Sequence, residues 1–110
     1  MFNPPSDSSL PPDPNLLRTL LEPLLDDFEH WFSRSRSLLE EERLTFLEPD
    51  RQTDLLQRVC QAYQEVTTTR TLLNATAGQV GVDTSVLLTW HRLVHECWAV
   101  SMKRRSQALQ

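Results

Sequence analysis

The sequence predicts an all-α fold, an antiparallel three-helix bundle, on three grounds. The 110-residue chain has only two glycines and is rich in Leu, Glu, Arg and Gln, which favour helix. Apolar residues recur at intervals of three and four through most of the chain, and proline or glycine interrupts this pattern between the segments. One domain is therefore expected over residues 14–110, with helices at about 14–47, 50–77 and 84–106.

The chain begins with a segment that is poor in apolar residues. FNPPSDSSLPPDP, which follows Met1, contains five prolines and three serines. Such a segment buries too little apolar surface to offset the entropy lost on ordering. Residues 1–13 are expected to be a disordered, Pro-rich tail; a short recognition peptide with polyproline character is the alternative.

The first helix begins at Asp13 and Pro14, a capping acceptor followed by a residue whose missing N–H costs nothing at the first position. Pro23 is expected to kink this long helix or to split off a short first segment. Glu48 precedes Pro49, which disfavours helical geometry and predicts a corner at 48–50. Two rows of apolar residues predict a wide buried band: Leu17, Leu21, Leu24, Phe28, Trp31 and Leu38, and beside them Leu25, Phe32, Leu39 and Phe46.

The second helix carries one weak segment, VTTTRT, because β-branched side chains lose freedom in a helix. Gly78 is expected to terminate the helix, and Asp83 or Thr84 to cap the third one. The residues predicted to face inward are Leu55, Leu56, Val59, Cys60, Tyr63, Val66, Leu73 and Ala77.

The third helix contains the segment TWHRLVHECWAVSM. At 100° per residue, Trp90 falls opposite Arg92 and is predicted to lie in the core. The apolar and amphipathic arc is too broad for one neighbouring helix to cover. Its outer flank is the candidate partner-docking face, and it consists of Leu88, His91, His95, Trp98 and Met102.

Short connections predict that the first and third helices run parallel. In that arrangement Trp31 is expected at the height of 63–66 and 90–94, which would form an aromatic layer. The acidic run Glu40–Glu42 is expected beside the basic run Lys103–Arg105. This pairing of opposite charges supports the topology, although exposed ion pairs contribute only about 0–1 kcal/mol each.

His91 and His95 have the i, i+4 spacing by which two imidazoles can bind one metal ion from a single helix. The residues between them lack the glutamate of the zinc-protease motif, and His30 is assigned to the polar face of the first helix. We therefore expect histidines that cover aromatic surface, with no metal site and no cofactor; a metal or small-ligand carrier that uses His91 and His95 is the alternative.

The sequence shows no sign of catalysis. It has no glycine-rich phosphate loop and no nucleophile matched to a base. Its carboxylates fall on helix faces that are expected to be solvated. The expectation is that the protein is not an enzyme.

The net charge of −4 argues against nucleic-acid binding. Neither a signal peptide nor an apolar run long enough to cross a membrane is present, which predicts a cytoplasmic protein. Cys60 and Cys97 are expected to be small apolar groups rather than a disulfide. Lys103–Arg105 could support weak peripheral membrane contact.

Two long stretches, residues 20–47 and 78–106, resemble a family of small cyanobacterial proteins catalogued as a domain of unknown function. The resemblance rests on EPLL at 22–25, FEHWF at 28–32, the GQVG loop and the WH-x-LV-x-EC-W pattern from Trp90. It implies a helical fold and a cytoplasmic setting in a photosynthetic bacterium, with no activity attached. The sequence thus favours an interaction or accessory module that binds a protein partner or a second copy of itself.

Overall fold

The computed structural model describes residues 14–76 and 82–108, which form three α-helices and no strand. Helix α1 spans Pro14–Glu41, α2 spans Pro49–Ala75 and α3 spans Thr84–Ala108. The predicted tail, Ala77 and the loop that contains both glycines lie outside the described residues. The predicted all-α class and the number of helices are confirmed.

Helix α1 ends at Glu41, well before the predicted end at residue 47, and the connection runs from 42 to 48. The cause is the side chain of Gln52, in the first turn of α2, which is 8% exposed. Its amide nitrogen donates to the backbone oxygens of Leu39 at 3.0 Å and Glu42 at 2.7 Å. Its oxygen accepts from the backbone N–H of Leu44 at 3.0 Å and from an Arg43 guanidinium N–H at 2.8 Å. Gln52 therefore replaces the backbone hydrogen bonds that a longer helix would have made.

Helix α1 continues through Pro23 without a break, so the predicted short first segment does not form. Pro23 removes one backbone hydrogen bond on an exposed turn, while Leu21 and Leu25 on either side of it are buried. Packing of the flanking turns compensates for the lost bond.

The VTTTRT segment is helical throughout, and its hydroxyls bond to carbonyls of the preceding turn. Thr69 donates to the Glu65 oxygen at 2.8 Å and Thr71 donates to the Thr67 oxygen at 3.0 Å. The Val66 side chain next to them is fully buried in the core. Tertiary packing thus overrides a poor local helix propensity.

Most inter-helix contact is made by α1, which packs against α2 along its length and also against α3, whereas α2 and α3 touch at few points. An ion pair links each pair of neighbours. Arg70 of α2 contacts Asp26 of α1 at 2.6 Å, and Arg58 of α2 contacts Glu96 of α3 at 2.7 Å. Arg104 of α3 pairs with Glu42, directly after α1.

The pairing of Glu42 with Arg104 confirms the parallel arrangement of α1 and α3. The predicted aromatic layer, however, is displaced along the bundle by about two turns of α3. Trp90 packs edge to face against Phe28, with centroids 5.4 Å apart, and Trp31 packs against Trp98.

The hydrophobic core is continuous through the three helices, and the largest fully buried side chain is Trp90. Ala62 and the polar Gln52 and Ser35 are buried as well, which the sequence pattern did not indicate. The buried apolar residues are Leu21, Leu25, Phe28, Phe32, Leu39, Leu44, Leu55, Val59, Ala62, Val66, Leu73, Trp90, Leu93, Val94 and Cys97.

Candidate functional site: an aromatic and histidine-containing face on α3

The five residues of the candidate docking face are all exposed on one side of α3. Leu88 is 50% exposed, Trp98 is 38% exposed and Met102 is 68% exposed; His91 and His95 are exposed as well. The core side of the same helix consists of Trp90, Val94 and Cys97, which are buried. We call the five exposed residues the α3 seam: Leu88, His91, His95, Trp98 and Met102.

The α3 seam has the spacing of a coiled-coil contact line. Its members follow one another at intervals of three, four, three and four residues. Apolar residues at alternating steps of three and four recur on average every 3.5 residues, and this period keeps one side of a helix facing a neighbouring helix. Among residues 14–76 and 82–108, α1 covers one edge of the line, through Trp31.

Aromatic rings connect the α3 seam to α1 in a continuous row. The His91 and His95 rings are 4.5 Å apart between centroids, and His95 is 5.0 Å from Trp98. Trp98 meets Trp31 of α1 at 5.5 Å, and Trp31 meets His30 at 5.2 Å. All four contacts are edge to face, a favoured geometry for aromatic rings, so the row is an ordered surface.

The two seam histidines point their outer nitrogens at each other. The Nε2 atoms of His91 and His95 are 3.0 Å apart, close enough for a hydrogen bond in which one ring donates and the other accepts. Glu96, the acid next to His95, points away toward α2, where both its oxygens accept from Arg58 at 2.7 and 3.0 Å. His30 lies at the far end of the ring row, beside Trp31.

Two basic side chains near the end of α3 make contacts within the protein. Arg104 pairs with Glu42, whose pKa is lowered by this hydrogen bond. The Lys103 ammonium lies 5.3 Å from the centroid of the Phe46 ring, a cation–π contact. The predicted proximity of the acidic and basic runs is thus seen in the pair of Glu42 and Arg104, and this pairing weakens the case for membrane contact through this end.

An open groove of about 560 Å³ lies between α2 and α3, and no sequence pattern indicated it. Ala62, Trp90 and Leu93 contribute apolar surface to it. Two polar interactions lie along it: the Trp90 indole N–H donates to Glu65 at 3.0 Å, and Arg58 is paired with Glu96. The groove exists because α2 and α3 both pack on α1 rather than on each other, a consequence of topology that no local pattern reveals.

Within residues 14–76 and 82–108, no group of three or more His, Cys, Asp or Glu side chains is arranged to hold a metal ion. In the same residues no helix has the length and apolar character needed to cross a membrane. Cys60 and Cys97 are both free thiols, the first half-buried and the second buried.

The fold and this surface define a class: a small three-helix protein that exposes an apolar, aromatic line along its third helix. A family model described as "Protein of unknown function (DUF2605)" matches residues 11–106, and the chain belongs to that family. The resemblance to a family of unknown function is thereby confirmed. No curated protein and no solved structure matches the chain.

Proposed function

We propose that the protein is an interaction module without catalytic activity, and that an amphipathic helix of a partner protein packs along the α3 seam. The observation that carries the proposal is the exposed row of five residues at alternating steps of three and four. A helix laid on this row would remove Leu88, Trp98 and Met102 from water. Complete burial of side chains of this size contributes about 1.5–3 kcal/mol each before the costs of association.

The neighbouring surface of α1 supports a long contact. Leu20, Leu24 and Trp31 are separated by four and seven residues, so they share one face of α1. Leu20 and Leu24 are both exposed, and Trp31 contacts Trp98 of the α3 seam. A helix on the seam would therefore have apolar surface on α1 beside it.

Charge indicates the chemistry of the partner. Arg92 and Arg105 are exposed on α3 near the seam, and among the described residues neither has an ion-pair partner. Carboxylates on the flanks of the incoming helix would complement them. We expect a partner helix with apolar residues at the contact positions and Asp or Glu beside them. The cytoplasmic location expected from the sequence is part of this proposal.

Photo-crosslinking in the native cell tests the proposal. Benzoylphenylalanine replaces Ala99, an exposed residue between Trp98 and Met102, and, as the control, Thr53, an exposed residue on α2. We expect a discrete adduct from position 99 that position 53 does not give. Mass spectrometry of the crosslinked peptide should identify an amphipathic helical segment with acidic flanks.

Two results would overturn the proposal. Equal adducts from both positions would mean that the α3 seam is not a specific surface. A crosslinked peptide from this chain itself would mean that the seam pairs with a second copy instead of a different protein.

A further inference from the structure

His91 and His95 lie one helical turn apart with their Nε2 atoms 3.0 Å from each other. Both rings are exposed, and both belong to the row that Trp98 continues. Two imidazole nitrogens held within 3.0 Å of each other on a single helix form a chelating pair, because the first bond to a metal ion places the second nitrogen beside it. We propose that this pair is a bidentate site for a divalent transition-metal ion.

The nitrogen separation indicates which geometry the site favours. With metal–nitrogen distances of about 2.0–2.1 Å, two nitrogens 3.0 Å apart subtend about 95° at the metal. A tetrahedral angle at the same bond lengths requires about 3.3 Å. The pair thus suits neighbouring positions of a square-planar or octahedral ion. Square-planar nitrogen coordination is typical of Cu²⁺ and Ni²⁺, and Cu²⁺ has the highest affinity among the divalent ions of the series.

When both rings are neutral, metal binding requires one of them to change its tautomer. The hydrogen bond between the rings needs one Nε2 to carry a proton, whereas coordination by both Nε2 atoms needs each neutral ring to carry its proton on Nδ1. One ring therefore moves its proton from Nε2 to Nδ1 through solvent as the metal enters. The metal takes the place of the hydrogen bond between His91 and His95.

The site is open on its outer side. Among residues 14–76 and 82–108, no third His, Cys, Asp or Glu completes a ligand group. Water would fill the remaining positions, and a helix docked on the α3 seam could supply a further ligand there. The metal site stands on the histidine geometry and does not depend on the proposed partner.

Copper titration of the full-length, untagged, metal-free protein tests the inference. Cu²⁺ quenches a nearby indole, and the ring of Trp98 lies 5.0 Å from that of His95. We expect saturable quenching with one equivalent of Cu²⁺ and an electron paramagnetic resonance spectrum with nitrogen ligands. The affinity for Ni²⁺ is measured by calorimetry as well, because the half-buried Cys60 thiol could reduce Cu²⁺ but not Ni²⁺.

Three histidine variants distinguish chelation by the His91–His95 pair from metal binding elsewhere on the protein. His91→Ala and His95→Ala should each weaken the affinity by about 100-fold, because each leaves a single imidazole. His30→Ala is the matched control, since His30 is exposed and contacts a tryptophan but lies outside the pair, and its affinity should equal that of the wild type. Met102→Glu should bind copper with the affinity of the wild type while it weakens partner docking, which distinguishes this inference from the proposed function.

The inference is overturned if the wild-type protein shows no saturable binding. It is equally overturned if either single variant, or the double variant, binds Cu²⁺ and Ni²⁺ with the affinity of the wild type. Circular dichroism of each variant establishes that the helices are intact.

Discussion

Trp31 of α1 and Trp98 of α3 pack edge to face, with ring centroids 5.5 Å apart and ring planes at 76°. Trp98 nevertheless remains 38% exposed. One edge of its ring thus joins the two helices while another part faces water. The same side chain links the bundle interior to the surface proposed for docking.

This contact should stabilise the fold modestly. In a double-mutant cycle of Trp31→Leu and Trp98→Leu, we expect a coupling free energy of about 1 kcal/mol, because edge-to-face pairs contribute about 0.5–1.5 kcal/mol beyond area burial. Urea unfolding of the four proteins measures it. Strictly additive single-variant effects would show that the rings do not interact in solution.

The buried side chain of Gln52 should contribute strongly to the stability of the α1–α2 corner. Gln52→Ala is expected to lower the free energy of unfolding by about 2–4 kcal/mol, because it leaves buried backbone groups without partners. Gln52→Glu should also destabilise, since a carboxylate cannot donate to the oxygens of Leu39 and Glu42.

Gln57→Ala is the control for this prediction. Gln57 is exposed on the same helix, and its loss should change stability by no more than about 0.5 kcal/mol. If Gln52→Ala behaved like Gln57→Ala in chemical denaturation, the account of where α1 ends would be wrong.

The two thiols should differ in reactivity. Burial raises the pKa of Cys97, and a hydrogen bond with Ser35 opposes this shift only in part. Because the thiolate is the reacting form, a thiol reagent at about pH 8 should modify the half-buried Cys60 first and Cys97 only slowly, through opening of the fold.

Cys60→Ala should remove the fast phase of this reaction and leave the slow one. Mass spectrometry over time assigns each phase to its residue. Labelling of Cys97 as fast as Cys60 would contradict its place in the core.

The ion pair between Glu42 and Arg104 should make stability depend on acid pH. The hydrogen bond from Arg104 lowers the pKa of Glu42 from its ordinary value of 4.5. A carboxyl group whose pKa is lower in the folded chain stabilises the fold above its unfolded pKa, and this contribution disappears as the pH falls through the folded pKa.

Arg104→Gln should therefore flatten the decline in stability below about pH 4.5, as measured by urea unfolding at a series of pH values. Arg105→Gln is the matched control, because Arg105 is exposed at the next position and has no ion pair among the described residues. Identical pH profiles for Arg104→Gln and the wild type would exclude a role for this pair in solution.

The sequence predicted those features that depend on local periodicity. The buried side of α3 around Trp90 and the exposed side around Leu88 and Met102 follow from helical phase alone. The parallel course of α1 and α3 followed from short connections, and the pairing of Glu42 with Arg104 agreed with it.

The features that the sequence did not predict depend on contacts between distant residues. The end of α1 is determined by Gln52, whose side chain reaches Leu39 across the corner. Because α1 ends at Glu41 and not at residue 47, the expected height of Trp31 relative to α3 was wrong. The distance of 3.0 Å between the Nε2 atoms of His91 and His95 depends on the rotamers of the two side chains. The i, i+4 spacing indicates only that the two side chains can make contact.

The central claim, that the α3 seam binds a partner helix, is tested most directly by two substitutions that each introduce a glutamate. Met102→Glu places a carboxylate in the seam, whereas Leu72→Glu places one at an exposed leucine of α2, outside the seam. Affinity for the partner identified by crosslinking is measured by surface plasmon resonance with the wild type and both variants. We expect Met102→Glu to weaken binding by at least about tenfold and Leu72→Glu to leave it unchanged. Equal affinities for all three proteins, or a loss confined to Leu72→Glu, would contradict it.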